Sequence, residues 1–242
     1  MGFNAAYPGP VTGLRRKTSS GPTLPLAVGF DLDMTLIDTV PGFGATLRAL
    51  GEELGVEFAI EDLTSRLGPP LGNSLAAHLP ADRVDAAIGR FRELYPGLAI
   101  ESVPLLPGAA EAITAVRRHG GRVVVVTGKF APNAQLHVDH LGLDLDHLAG
   151  EVWGVGKADV LVREGVSVFV GDHVHDVEGA LAAGVLSISV LTGGCSAAEL
   201  TDAGTHVVLP DLREFPAWLD DHLSRGSARS PGTGWRPRPD PE

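Results

Sequence analysis

The 242-residue chain predicts an α/β fold: a Rossmann-like parallel sheet core flanked by helices, with a small all-helical cap inserted after the first strand. Three observations carry this. Short apolar runs rich in Val, Leu and Ile alternate with helical patterns, the signal for βαβ units whose parallel sheet is buried on both faces. Five candidate helices are each followed by a glycine (Gly120, Gly142, Gly165, Gly184 and Gly204), where a left-handed helix end favours that residue. Residues 39–104, between the first two apolar runs, read as helices only, and a crossover needs just a dozen or so residues.

In order, the predicted strands are Leu26 to Phe30, Arg122 to Val126, Val166 to Val170, Leu186 to Leu191 and His206 to Leu209. The helices between the later strands are Ala109 to His119, Pro132 to Leu141, Ala158 to Glu164, Asp176 to Ala183 and Ser196 to Ala203. Within the insert, helical patterns cover Phe43 to Leu54, Glu61 to Leu67, Asn73 to Leu79 and Arg83 to Tyr95, separated by Gly55, Gly68-Pro69-Pro70 and Pro80. The expected domains are therefore a core of 25–38 and 105–224 and a cap of 39–104. The Gly-, Pro- and Ser-rich ends, 1–24 and 225–242, lack an apolar period and are expected to be disordered.

Composition narrows the function. Hydrophobic residues at 44% and charged residues at 20% fit a globular protein, and no apolar run approaches the ~18 residues of a membrane helix. No signal-peptide pattern is visible, and the single cysteine, Cys195, supplies neither a disulfide nor a CxxC pair; a cytoplasmic location is expected. The net charge is −11, with the basic residues enriched at both ends. An acidic body repels a phosphate polymer, so no nucleic-acid partner is expected. Handling a small phosphate would require a cation or placed donors at the site.

Ligands of a parallel α/β sheet gather outside the carboxyl ends of its strands. The first run ends in Asp31-Leu32-Asp33-Met34-Thr35, the second in Thr127-Gly128-Lys129, and the third in Gly171-Asp172-His173-Val174-His175-Asp176. Singly, an acid after a strand is commonly a helix N-cap. Together, four carboxylates at one edge repel one another unless a cation sits among them, and oxygen ligands beside a substrate phosphate point to Mg²⁺. Asp31 and Asp33, two residues apart, face one side of an extended strand end unless a bend separates them. Such a pair divides its labour, one carboxylate as nucleophile and the other as acid.

These motifs resemble those of the haloacid dehalogenase-like hydrolases, in the branch similar to phosphoglycolate phosphatases, over residues 26–222. The resemblance implies that Asp31 is the nucleophile and Asp33 the general acid and base, that Thr127 holds the phosphoryl group with Gly128 and Lys129 beside it, and that Lys157 neutralises charge. It implies Mg²⁺ bound among Asp31, Asp33, Asp172 and Asp176, and a helical cap after the first motif. Three departures stand out. Met34 replaces the usual glycine, no proline follows Lys157, and the turn Gly68 to Ser74 lacks the arginine that relatives often carry.

The expected activity is Mg²⁺-dependent hydrolysis of a small phosphorylated metabolite through an aspartyl-phosphate, by a monomer or homodimer, with uncharged alcohol or sugar-like leaving groups preferred over phosphoglycolate because the cap turn holds no cation. Phosphoryl transfer, as in a mutase, is the enzymatic alternative; dehalogenation fits less well, because Asp33 supplies a second acid. A silent binding module would have lost one of Asp31, Asp33, Lys157 or Asp172, and none is lost. The run Gly154 to Ala158 lacks the first glycine and the hydroxyl of a P-loop. His173 and His175 read as solvated, Cys195 as a bystander, and Trp153 and Phe169 as packing residues.

Overall fold

The computed structural model describes residues 26–65 and 67–228, with side chains to residue 225. Six strands form one sheet: β1 (Ala27–Phe30), β2 (Arg122–Val126), β3 (His147–Ala149), β4 (Val168–Gly171), β5 (Leu186–Val190) and β6 (Val207–Leu209). All neighbours are parallel, in the order β3-β2-β1-β4-β5-β6. The order reverses at β1, which pairs with both β2 and β4. A crevice opens at such a reversal, outside the carboxyl ends of the strands.

Alternation along the strands sorts the core into two layers. Val123 and Val125 of β2 join Val28 and Phe30 in a cluster with helices α5 (Ala109–Arg118) and α10 (Phe215–Ala228). Val124 and Val126 point the other way, into a cluster with α7 (Lys157–Arg163) and α8 (Val174–Ala183). Phe30 and Phe215 meet edge to face at 5.5 Å, and each buried apolar side chain of this kind contributes roughly 1.5–3 kcal/mol. The remaining core helices are α6 (Ala131–Leu141) and α9 (Ala197–Asp202). Gly142 and Gly184, after α6 and α8, adopt the left-handed conformation expected of them.

The insert holds α1 (Val40–Leu54), α2 (Ile60–Ser65), α3 (Leu71–Ala76) and α4 (Ala81–Ala99). It buries its own cluster, including Leu47, Leu50, Leu75, Phe91 and Tyr95. Its two connections run antiparallel: Asp38 N–H donates to Pro104 O and Leu106 N–H to Leu36 O, each at 2.9 Å. Entry and exit are thus tied together beside the end of β1.

Three elements differ from expectation. The edge strand β3 is only three half-buried residues, His147 to Ala149, too short to show a period. Helix α4 continues through Pro96 to Ala99, because Tyr95 and Ala99 remain packed in the insert cluster. Helix α10 was not anticipated, and it runs to Ala228, into the stretch expected to be disordered from 225. Phe215 and Leu219, fully buried in the core, anchor it. The expectations for 1–24 and 229–242 lie outside the described residues.

Candidate active site

The strand order brings the ends of β2, β1 and β4 side by side, and with them Thr127, Asp31 and Asp172. Asp31 leaves β1 with its N–H bonded to Val170 O at 2.8 Å. Oxygen atoms of Asp31, Asp172 and Asp176 lie within 4.8 Å of one another, all three residues buried. Lys157, 1% exposed, opens α7 and places Nζ 2.6 Å from Asp31 Oδ1 and 2.6 Å from Asp176 Oδ1. Thr35 donates to Asp172 Oδ1 at 2.8 Å, and His173 N–H donates to Asp176 Oδ2 at 3.1 Å. Gly193 brings its backbone so near Asp172 that a Cβ there would collide with the carboxylate.

One ammonium shared by two buried carboxylates leaves the third without a salt-bridge partner among the described residues. Burial pushes Asp31 up to about 7 despite Lys157, with Asp176 and Asp33 adding to the rise. Burial and then its acidic neighbours hold Asp172 well above the usual carboxylate range. Crowded, buried, oxygen-only groups of this kind ionise together only with a cation among them. The donor set fits a hard divalent ion such as Mg²⁺.

Asp33 corrects one expectation: its carboxylate is not in this cluster. The chain bends at Met34, whose φ of 58° is left-handed, and Met34 O is fixed by the Thr192 hydroxyl at 2.6 Å. Asp33 Oδ1 instead accepts from Lys129 Nζ at 2.8 Å and from the Thr39 hydroxyl at 2.5 Å. Burial favours its neutral form, but Lys129 and Thr39 outweigh burial and hold it below the usual range. The two carboxylates of the first motif therefore occupy opposite electrostatic settings.

The cavity around these groups measures about 340 Å³ and is lined by Asp31, Asp33, Thr127, Gly128, Lys129 and Lys157, among others. Every residue expected to be catalytic or to bind substrate is thus at one site. The insert closes its far side and brings a cation from outside the turn Gly68 to Ser74, a group the sequence reading did not place there. Arg92, on α4, lines the cavity, lies over the Phe130 ring at 4.1 Å and reaches Glu151 at 3.2 Å. Tyr95, also on α4, meets His137 Nε2 of α6 at 3.0 Å and carries Lys129 Nζ 4.6 Å above its ring. Trp153, expected to be packing only, lines the cavity and packs against His175 at 4.7 Å and His173 at 5.7 Å. Phe169 is buried in the core as expected. The roles of Arg92, Tyr95, Thr35 and Thr39 were missed: Thr35 stands in the first motif without an assigned function, and the other three lie outside every motif and join the site through contacts across the fold or around the bend.

Comparison with known proteins agrees with this geometry. A family profile described as haloacid dehalogenase-like hydrolase matches residues 28–181, and a second, HAD-hydrolase-like profile matches 157–215. The chain is 30% identical over 218 residues to the tyrosine-protein kinase PtkA of Mycobacterium tuberculosis, covering 82% of this chain and 75% of that one. It is 28% identical over 234 residues to a phosphoglycolate phosphatase of Caulobacter vibrioides, covering 86% and 95%. A haloacid dehalogenase-like family hydrolase from Streptococcus pneumoniae superposes with a TM-score of 0.70 at 21% identity, over 82% of this chain and 98% of that one. The profile match over residues 28–181 takes in the two carboxylates of the β1 bend, the strand-end threonine, the buried lysine and the pair of acids after β4, and the chain belongs to the haloacid dehalogenase-like hydrolases, in their phosphoglycolate phosphatase-like branch.

Proposed function

We propose that the chain is a Mg²⁺-dependent phosphomonoester hydrolase, acting on a small phosphorylated metabolite through an aspartyl-phosphate on Asp31, with the helical insert as its cap. The observation that carries this is the contrast within one cavity between Asp31, beside Lys157 and two further carboxylates, and Asp33, held apart by Lys129 and Thr39. The ion, held by Asp31, Asp172 and Asp176, would offset phosphoryl and carboxylate charge.

Asp31 in its ionised form attacks phosphorus while the bond to the leaving oxygen breaks. Lys157 meets charge that moves from Asp31 onto the phosphoryl oxygens, and Thr127 at the end of β2 holds them. Asp33 carries the proton. As found it is ionised, paired with Lys129; an arriving phosphate dianion competes for that ammonium, and Asp33 freed of it takes up the proton that it gives to the leaving oxygen. It then removes a proton from the water that opens the aspartyl-phosphate, so inorganic phosphate leaves and Asp31 is restored. The insert keeps bulk water out during the first step.

The single cysteine and the acidic charge support a cytoplasmic enzyme without a nucleic-acid partner, and a monomer or homodimer suffices, because all the groups come from one chain. Among the described residues no helix is long and apolar enough to cross a membrane. The PtkA relative is named a kinase, so transfer to an acceptor hydroxyl is the reading to separate from hydrolysis.

The test is turnover of 4-nitrophenyl phosphate with Mg²⁺ and in excess chelator, together with rapid-quench trapping of phosphoenzyme. Activity should vanish with chelator and return with Mg²⁺, Asp31→Asn should trap no phosphoenzyme, and phosphate release should match nitrophenol release. Full turnover in chelator removes the metal from the reading. A phosphoenzyme in Asp31→Asn removes the nucleophile, and nitrophenol released in excess of phosphate, with product formed on an added alcohol, replaces hydrolysis by transfer.

A further inference from the structure

Resting on the phosphomonoesterase reading above, we propose that the enzyme's leaving group is neutral, apolar and about the size of one ring, so that substrates carrying a second anion or a polyhydroxylated body are disfavoured. Shape and composition argue first. The far wall of the cavity is formed by Phe43, Leu71, Ile88 and Phe91 of the insert, with Phe130 and Trp153 facing from the core. Phe43 and Phe91 pack ring to ring at 5.2 Å, an apolar patch on the insert side, while the polar groups Thr39, Tyr95 and Asn133 also line the cavity. Sugar hydroxyls placed there would exchange water for carbon, and an unpaired buried hydroxyl costs on the order of 1–3 kcal/mol.

Charge argues independently. Among the described residues the lining holds four carboxylates (Asp31, Asp33, Asp172 and Asp176) and three cations (Arg92, Lys129 and Lys157). Each cation already has a carboxylate: Lys157 has Asp31 and Asp176, Lys129 has Asp33, and Arg92 has Glu151 at 3.2 Å while lying over Phe130. With Asp33 protonated and Lys129 turned to the phosphate, as in the step above, a divalent ion and a phosphate dianion leave these lining charges balanced at zero. Among the described residues no cation is left over for a carboxylate or second phosphate on the leaving group. His173, half-buried at the cavity wall, packs against the Trp153 ring at 5.7 Å and lies close to the backbone of Gly68, where a Cβ would come within 2.6 Å of it.

Volume gives the scale. An apolar cavity of about 150 Å³ accepts benzene, so about 340 Å³ has room for a phosphoryl group with one ring. Arg92 crosses from α4 to Glu151 and Phe130, so its guanidinium joins insert to core and already has a carboxylate partner.

The experiment measures kcat/KM with Mg²⁺ for matched pairs whose leaving oxygens are all primary alcohols. Cyclohexylmethyl phosphate against glucose 6-phosphate isolates polarity at constant ring size, and benzyl phosphate against 4-carboxybenzyl phosphate isolates charge. The apolar member should win by tenfold or more in both pairs, and phosphoglycolate should fall below benzyl phosphate by a similar factor. Leu71→Arg, which adds an unpaired cation to the wall, should shrink the benzyl to carboxybenzyl ratio at least fivefold. Equal or reversed ratios in the wild type overturn the proposal whatever the variant does. Turnover of the polar members alone would sink this inference and leave the phosphatase reading standing, whereas no turnover of any member removes both.

Discussion

Met34 shows what one residue does to this site. A left-handed backbone at a non-glycine residue costs roughly 1–2 kcal/mol, because Cβ crowds the following carbonyl, and Met34 adopts φ 58° where the family usually has glycine. The bend it forms swings Asp33 away from Asp31 and toward Lys129 and Thr39. Met34→Gly and Met34→Ala both remove the side chain, but only the alanine keeps the Cβ. Urea denaturation should therefore place the glycine variant above the alanine variant by about 1 kcal/mol, the reverse of the order in an ordinary loop or helix. An alanine variant equal to or more stable than the glycine variant would show that the bend is unstrained. The motif residues themselves were legible in the sequence, yet the parting of Asp31 from Asp33 was open, since spacing alone allows both carboxylates on one face or a bend between them.

Helices α4 and α6 meet through two buried rings. His137 is fully buried, Tyr95 nearly so, and their polar atoms are 3.0 Å apart, while His137 Nδ1 has no partner among the described residues. Burial first and the Lys129 charge second push His137 down to about 4. A histidine whose folded value lies below its unfolded value of about 6.5 supports the fold in its neutral form; that stability is present above pH 6.5 and is lost as pH falls through 4. Thermal unfolding from pH 7.5 to 4 should therefore show wild type losing Tm relative to His137→Gln as acid is added. Parallel curves would mean that His137 titrates alike in the folded and unfolded states. Both helices were legible from their 3.6-residue pattern. Their junction was not, because Tyr95 and His137 belong to segments far apart in the chain and neither lies in a motif.

Across the molecule, stability and chemistry oppose each other at the sheet's carboxyl edge. Three buried acids around one lysine destabilise the metal-free protein at neutral pH, and the same arrangement binds a divalent ion. Asp172→Asn should thus raise Tm without metal, by removing a buried acid whose ionisation the fold opposes and that has no salt-bridge partner among the described residues. It should also abolish the rise that Mg²⁺ produces in the wild type, about 2.7 kcal/mol at a hundred times Kd. A Mg²⁺-dependent shift retained in Asp172→Asn would move the ion elsewhere. The cluster depends on the strand order, since β1 and β4 are neighbours in the sheet while more than a hundred residues part them in sequence.

By itself the sequence determined the class of fold, five of the six strands, the helical nature of the insert, and the acids, threonine and lysines that meet in the cavity. These are local properties: a two-residue or 3.6-residue period, a glycine at a helix end, a polar cluster after an apolar run. Strand β3 and helix α10 escaped because three residues carry no period, and because α10 is recognisable mainly by the core that Phe215 and Leu219 complete. Tertiary structure alone decided that Asp33 turns from the acidic cluster to Lys129 and that α4 contributes Arg92 and Tyr95. It also decided that Arg92 is matched by Glu151. Each is a pairing between distant segments, and its energy depends on burial and proximity, which arise only once the sheet order and the seat of the insert bring those segments together.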